Sequence, residues 1–227
     1  MKGKRRAATR HPDAAGSCKR RVRTIALTTA AACLMSGAPA AAAPYDIVNG
    51  GFEDPDIATR TWKYFTSIPG WTPINGCGIE IQNHAAGSPH EGDQFVELNS
   101  QCKSGLTQTV EAEAQGLFIL SFWFSPRPGT QAEDNKLKVL WNGEPVATVG
   151  PEPGGSGTAW SHRYVAVTGT GSCGWAPNTV TFKSAGSNPS GGGVGVYLDD
   201  VRVTPAFQAA DDSECPVYYD APSGGMG

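Results

Sequence analysis

Beyond residue 43 the chain has no stretch of sustained helical periodicity, only short apolar runs cut repeatedly by the 29 glycines and 17 prolines of the sequence. Runs this short bury one face each only if they pair laterally, so the pattern predicts an all-β domain. Strands are expected at 45–48, 78–82, 94–99, 106–110, 117–124, 136–141, 162–167, 178–183 and 193–203. That number suits an antiparallel two-sheet β-sandwich, with a jelly roll as the preferred form.

The first 43 residues read as an export signal. Residues 2–23 are basic, 24–35 apolar, and Ala40 to Ala43 supply the small residues of a cleavage site, so the mature chain is expected to start near Ala43 or Pro44. The apolar run is shorter than the ~20 residues that span a bilayer. Arg20-Arg21 suits a twin-arginine route. A lipid attachment at Cys33 is disfavoured because Ala30 stands where leucine is wanted. The expected organisation is a signal peptide at 1–43, a β-sandwich at 44–204 and a flexible tail at 205–227, rich in Ala, Asp, Ser and Gly. The protein is expected to be secreted and extracellular.

Cleavage changes the charge. Nine of the 18 Lys and Arg but one of the 21 Asp and Glu lie in residues 1–43, leaving 9 − 20 = −11 on the mature chain. Such a balance opposes nucleic acid and anionic membranes as partners, since both are held through Lys and Arg. Neutral ligands and cations remain.

Four cysteines stay in the mature chain: Cys77, Cys102, Cys173 and Cys215. An even number in an exported domain predicts two disulfides among three possible pairings. If 78–82 and 94–99 pair antiparallel with facing positions summing to 179, Cys77 meets Cys102, and Cys173 with Cys215 follows by elimination. Ile79, Ile81, Val96 and Leu98 then share the core face.

The opposite face carries Glu80, Gln82, Phe95, Glu97 and Asn99. The run 117–124 repeats the alternation: Phe118, Leu120, Phe122 and Phe124 turn inward, while Ile119, Ser121, Trp123 and, past the strand end, Arg127 turn away. Tyr197 and Asp199 do the same around Leu198. An open face of this kind offers flat apolar rings to the C–H faces of sugars and planar carboxylate, amide and guanidinium groups to their hydroxyls. The expected ligand residues are therefore Glu80, Gln82, Phe95, Glu97, Trp123, Arg127, Tyr197 and Asp199, and the expected ligand is a polysaccharide. Trp160 and Trp175 are reserve stacking candidates, whereas Trp71 and Trp141 are expected in the core.

Two other classes compete. The open face suits an extracellular protein partner, such as an exported enzyme. The register also places Glu80 and Glu97 diagonally, about 7–8 Å apart, within the ~6.5–9.5 Å of inverting glycosidases. An open face with nothing to raise a carboxyl pKa argues against catalysis, so no catalytic residue is assigned. His84, His90, Glu91 and Asp93 read as a hairpin turn around Gly87-Ser88-Pro89 rather than a metal or catalytic cluster.

Glu53, in Asn49-Gly50-Gly51-Phe52-Glu53, and the Asp199-Asp200 pair are hard oxygen ligands at opposite ends of the domain, of the kind calcium prefers. If the first and last strands pair, one cation would staple the termini. The series NGGFEDP (49–55), SIPGW (67–71), IEIQ (79–82), EGDQFVEL (91–98), LSFWFSPRPG (120–129), VLWNG (139–143) and YLDDV (197–201) resembles the extracellular family called domain of unknown function 642. Its members are best known from plant cell walls, with bacterial relatives; one such domain fits here, where plant members resemble a tandem pair. The resemblance covers residues 47–204 and implies a galactose-binding-like jelly roll, binding to cell-wall polysaccharide and no catalytic activity. It also implies a structural calcium held by Glu53 and Asp200, with a carbonyl from Gly51.

Overall fold

The computed structural model describes residues 45–99, 101–187 and 194–206. Among the described residues eleven antiparallel strands form two sheets. The six-stranded sheet has the order β1 (Thr61–Phe65), β3 (Ile79–Asn83), β4 (Phe95–Glu97), β11 (Tyr197–Pro205), β6 (Leu117–Ser125), β9 (Ser161–Thr168). The five-stranded sheet has the order β2 (Thr72–Ile74), β5 (Gly105–Glu113), β10 (Trp175–Ser184), β7 (Leu137–Trp141), β8 (Glu144–Val149). From β5 to β11 the chain passes back and forth between the sheets, with β7 and β8 together as a hairpin in the five-stranded one, as in a jelly roll. A single 3-10 turn at Ala132–Asp134 is the helical element among the described residues.

The inward halves of the strands make one core. Phe118, Leu120, Phe122 and Phe124 of β6 face Leu106 and Val110 of β5, Val180 and Phe182 of β10 and Val139 of β7, all 2% exposed or less. Phe122 and Phe182 meet edge to face at 5.1 Å. Trp71 is buried as expected, with its indole N–H donated to the Asn49 carbonyl (3.0 Å), and Trp141 donates to Thr168 (2.8 Å).

Eight of the nine expected strands are present. Residues 45–48 are the exception: Gln108 binds both the N–H and the carbonyl of Val48 (2.7 and 3.0 Å), which occupies the groups a strand would offer a neighbour. The segment at Gly50 still meets the last strand, because Val201 N–H donates to the Gly50 carbonyl at 3.0 Å. Only glycine fits at 50, since a Cβ there would lie 2.1 Å from the Val201 oxygen. β11 runs one residue past the expected boundary at 204.

Cys77 and Cys102 are bonded. A bridge closing a loop of 25 residues contributes on the order of 3 kcal/mol. The strand register is nevertheless not the expected one. Glu80 faces Glu97, Ile81 faces Val96 and Gln82 faces Phe95, a sum of 177 instead of 179. A slip of two residues keeps each side chain on its face but replaces the diagonal Glu80–Glu97 relation by a direct cross-strand pair. Cys215, and with it the expected bridge to Cys173, lies outside the described residues, as do the signal peptide and the tail from residue 207.

Candidate functional site

Pairing lines the outer face of the six-stranded sheet into two rows. One runs Tyr64, Glu80, Glu97, Tyr197, Ser125; the next runs Trp62, Gln82, Phe95, and then Asp199, Trp123 and His162. All eight expected ligand residues come to this face or its rim, as strand parity requires.

They are not, however, an open platform. Glu80, Gln82, Phe95, Glu97, Tyr197 and Asp199 are all buried. Their cover is the 84–94 loop between β3 and β4, which folds back over the sheet instead of making a simple hairpin turn. Asp199 holds it down: one carboxylate oxygen accepts the N–H groups of His90 (2.9 Å) and Glu91 (3.2 Å), the other that of Asp200 (2.7 Å). Tyr197 donates its hydroxyl to the Ala86 carbonyl (3.0 Å), and Gln82 accepts the Ala86 N–H (3.1 Å). Trp160 stands edge-on to Phe95 at 5.8 Å and donates to the Ser88 carbonyl (2.8 Å). Asp199, Tyr197 and Phe95 therefore serve the loop, which corrects the expectation of an exposed ligand surface there.

Trp123 is also corrected as a stacking platform. His90 is stacked on its ring (3.7 Å, 16°) and so is His162 (4.5 Å, 11°), so Trp123 is already engaged in ring stacking within the protein. Tyr164 continues the ladder, 4.1 Å from His162, and is 65% exposed. Burial pushes the His90 pKa down, against the pull of Asp200 and Glu91.

At the other edge the sequence reading missed β1. Trp62, 56% exposed, and Tyr64 project beside Gln82 and Glu80, their rings 5.3 Å apart and edge to face. The Trp-Lys-Tyr alternation in TWKYF was the available signal.

Between this aromatic pair and the loop lies an acid network. The Gln82 amide nitrogen donates to Glu80 (2.9 Å) and to Glu97, and the other Glu97 oxygen pairs with Arg127. Desolvation raises the Glu97 pKa to about 8; Arg127 opposes the rise and Glu80 adds to it. Burial thus favours the protonated form of Glu97, and Arg127 favours the ionised one. Desolvation raises Asp199 to about 8 as well, outweighing its three backbone donors, and pushes Tyr197 up.

These shifts set the pH response. In the unfolded chain a glutamate loses its proton near pH 4.5, whereas the folded Glu97 keeps it to about 8. The folded state therefore binds the extra proton across that window, and stability is full below about pH 4.5 and falls as pH rises through 8. Asp199 acts in the same sense from its lower starting value. Urea midpoints are expected to decline from pH 5 to 8 and level off above it. Glu97→Gln should flatten this slope; an unchanged slope would show that Glu97 titrates normally.

The expected metal residues lie at the margin of the loop. Glu53 accepts the N–H groups of Asp93 and Gln94 (both 3.0 Å), and burial raises its pKa. Gly92 (φ 59°) leaves the room this needs, since a Cβ there would come 2.2 Å from the carboxylate. Strand parity would send Asp200 inward, but a bulge between Asp199 and Arg202 places it at φ 46° instead. Its carboxylate meets Arg202 (2.5 Å) and lies 3.8 Å from His90 Nδ1; Arg202 also pairs with Glu91 (2.9 Å). Gly51 borders Glu91 and Glu53. The donors are the hard oxygens calcium takes, yet among the described residues no three His, Cys, Asp or Glu converge on one point. Arg202 supplies the positive charge between Asp200 and Glu91.

Fold and face together define an all-β jelly-roll module with a partly covered acid row on its six-stranded sheet. No family model matches the chain. It is 29% identical over 163 residues to the multifunctional-autoprocessing repeats-in-toxin protein of Vibrio cholerae, covering 71% of this chain but 3% of the toxin. Among solved structures, an apo cyclase from Fischerella sp. superposes with TM-score 0.50 at 17% identity, over 73% of this chain and 100% of that one. A family 35 carbohydrate-binding module from Clostridium thermocellum gives 0.42 at 14% identity, over 60% and 92%. A CBM61 module solved with β-1,4-galactotriose gives 0.40 at 20%, over 69% and 95%. At 17% identity the likeness to the cyclase is one of fold alone.

Proposed function

We propose that the protein is a secreted, non-catalytic carbohydrate-binding module that takes an extracellular polysaccharide at the β1 edge of its six-stranded sheet. The observation that carries this is an exposed Trp62 and its neighbour Tyr64 set directly beside the Glu80, Gln82, Glu97 and Arg127 row. The rings offer apolar faces to a sugar, and the buried acid network behind them holds β3, and β1 paired to it, in place at that edge. The test is affinity electrophoresis of the oxidised mature protein in cellulose, xylan, pectin, β-glucan and chitin derivatives. Retardation by one polymer should disappear in Trp62→Ala and persist in Tyr164→Ala, at the far edge of the sheet. A folded protein retarded by none would transfer the reading to a module that binds another extracellular protein.

One observation favours a second reading. Glu80 and Glu97 both reach a single amide nitrogen, and one has a pKa near 8. Directly paired positions lie nearer the ~5 Å carboxyl spacing of retaining glycosidases than the wider inverting one. Product release from labelled oligosaccharide, lost in Glu80→Gln and Glu97→Gln, would establish a hydrolase and overturn the binding reading.

Calcium is proposed as a structural ligand of Glu53 and Asp200, with the Gly51 carbonyl, taking over from Arg202 the neutralisation of Asp200. At a hundredfold excess over its dissociation constant it would stabilise by about 2.7 kcal/mol, roughly 5–10 °C in Tm. Thermal unfolding in calcium and in chelator measures this. The shift should vanish in Glu53→Gln, and equal curves in the wild type would dismiss the ion.

A further inference from the structure

Three Asn-Gly pairs occur in the chain: Asn49-Gly50, Asn75-Gly76 and Asn142-Gly143. An asparagine before glycine is open to attack by the next backbone nitrogen, because glycine puts no side chain beside that nitrogen. The local chemistry is the same at all three, so only their surroundings in the fold separate them. Two are locked. Asn49 donates its side-chain amide to the Asp54 (2.6 Å) and Pro69 (3.4 Å) carbonyls and accepts the Asp54 N–H (3.1 Å), while its own carbonyl takes the Phe52 N–H and the Trp71 indole. Gly50 lies tight against the Val201 carbonyl. Asn142 donates to Asn178 Oδ1 and accepts the Thr179 N–H, both at 2.8 Å, and gives its own N–H to the Thr179 carbonyl (2.8 Å). Neither side chain can turn onto the next nitrogen without breaking several of these bonds.

Asn75 is held differently. It lies in the turn that carries the chain from β2 in one sheet to β3 in the other. Asn75 and Gly76 are both exposed and both have positive φ (66° and 71°), and a Cβ on Gly76 would meet nothing within 4 Å. A single bond restrains the side chain, its amide donating to the Lys103 carbonyl (3.1 Å). Among the described residues nothing accepts the Gly76 N–H. The attacking nitrogen and the group it attacks are thus both accessible to solvent.

We propose that Asn75 is a site of spontaneous deamidation, which ages the crossing between the two sheets. The Gly76 nitrogen attacks the side-chain carbonyl carbon of Asn75. A C–N bond forms, the bond to the side-chain nitrogen breaks, and that nitrogen leaves as ammonia with the proton of the Gly76 N–H. Water then adds to either carbonyl of the resulting cyclic imide, giving aspartate or, with the backbone rerouted through the side chain, isoaspartate. Either product loses the donor to Lys103 and gains a negative charge, so the Cys77–Cys102 bridge is left to tie this turn to the 102–103 segment.

The test incubates the oxidised mature protein under mildly alkaline conditions, folded and in urea, and follows the peptides by mass spectrometry. In urea the three asparagines should convert at similar rates. In the folded protein Asn75 should convert at least about tenfold faster than Asn49 and Asn142, whose reaction waits on local opening. It should give two isomeric products of one mass. Asn75→Gln keeps an amide but needs a larger ring, and should abolish the fast conversion while leaving the two slow ones unchanged. Conversion of Asn75 no faster than that of the other two in the folded protein, or fast ammonia loss that persists in Asn75→Gln, would overturn the proposal.

Discussion

Arg127→Met is expected to destabilise the protein by about 3–5 kcal/mol at pH 9, with a smaller loss at pH 6. Glu97 is 1% exposed, and Arg127 is its ionic partner in a sheet face shared with Glu80. Removing one member of a buried pair leaves a desolvated charge with no compensation. Below its raised pKa near 8 Glu97 escapes by holding its proton, so the cost grows as pH rises. The double variant Arg127→Met/Glu97→Gln should recover most of the loss, because the stranded charge is gone. Urea denaturation of the wild type, both single variants and the double at pH 6 and 9 measures the cycle. If Arg127→Met costs the same at both pH values and the double recovers nothing, Arg127 acts by packing alone.

The second large effect concerns the 84–94 loop. Asp199→Ala is expected to cost about 3 kcal/mol, since it strands the N–H groups of His90, Glu91 and Asp200 together, at about 1 kcal/mol each. The loss should be localised. With its clasp removed, His90 leaves Trp123, and amides of residues 86–92 should exchange faster while those of β10 stay protected. Asp199→Asn should fall between, because its one oxygen replaces only one of the two accepting sides. Exchange mapped by mass spectrometry decides it; uniform acceleration across both sheets would mean that Asp199 supports the whole fold and not the loop.

Both effects turn on partners that lie far apart in the chain. Asp199 and His90 are separated by 109 positions, Arg127 and Glu97 by 30. Composition and alternation placed Glu80, Gln82, Glu97, Trp123 and Asp199 on one face because a strand repeats every two residues, and a register error of two does not disturb that assignment. The same error made Glu80 and Glu97 diagonal instead of opposed. It also concealed how near the two carboxyls are.

The strands that went unread are instructive. β1, β2 and β8 are each an edge of a sheet. An edge strand carries few buried residues: Trp62-Lys63-Tyr64 alternates but over only five residues, and Pro145-Val146-Ala147 lacks the apolar alternation that marked β6. Through β1 this omission hid Trp62 and Tyr64, the exposed ring pair of that edge. The bulge at Asp200 was hidden for a related reason, because one extra residue in β11 resets the parity beyond it and no local signal announces it.

What the sequence determined by itself was the all-β jelly roll, its buried aromatic core and the face on which the acid row lies; the Cys77–Cys102 bridge was expected from a register that proved two residues off. The first three follow from near-neighbour rules: period-two alternation and turn residues. Only the tertiary structure decided which of those outward side chains meet solvent. The loop between β3 and β4 covers Phe95, Tyr197 and Asp199 while leaving Trp62 open. Burial depends on what packs from elsewhere in the chain, and a local pattern carries no record of that.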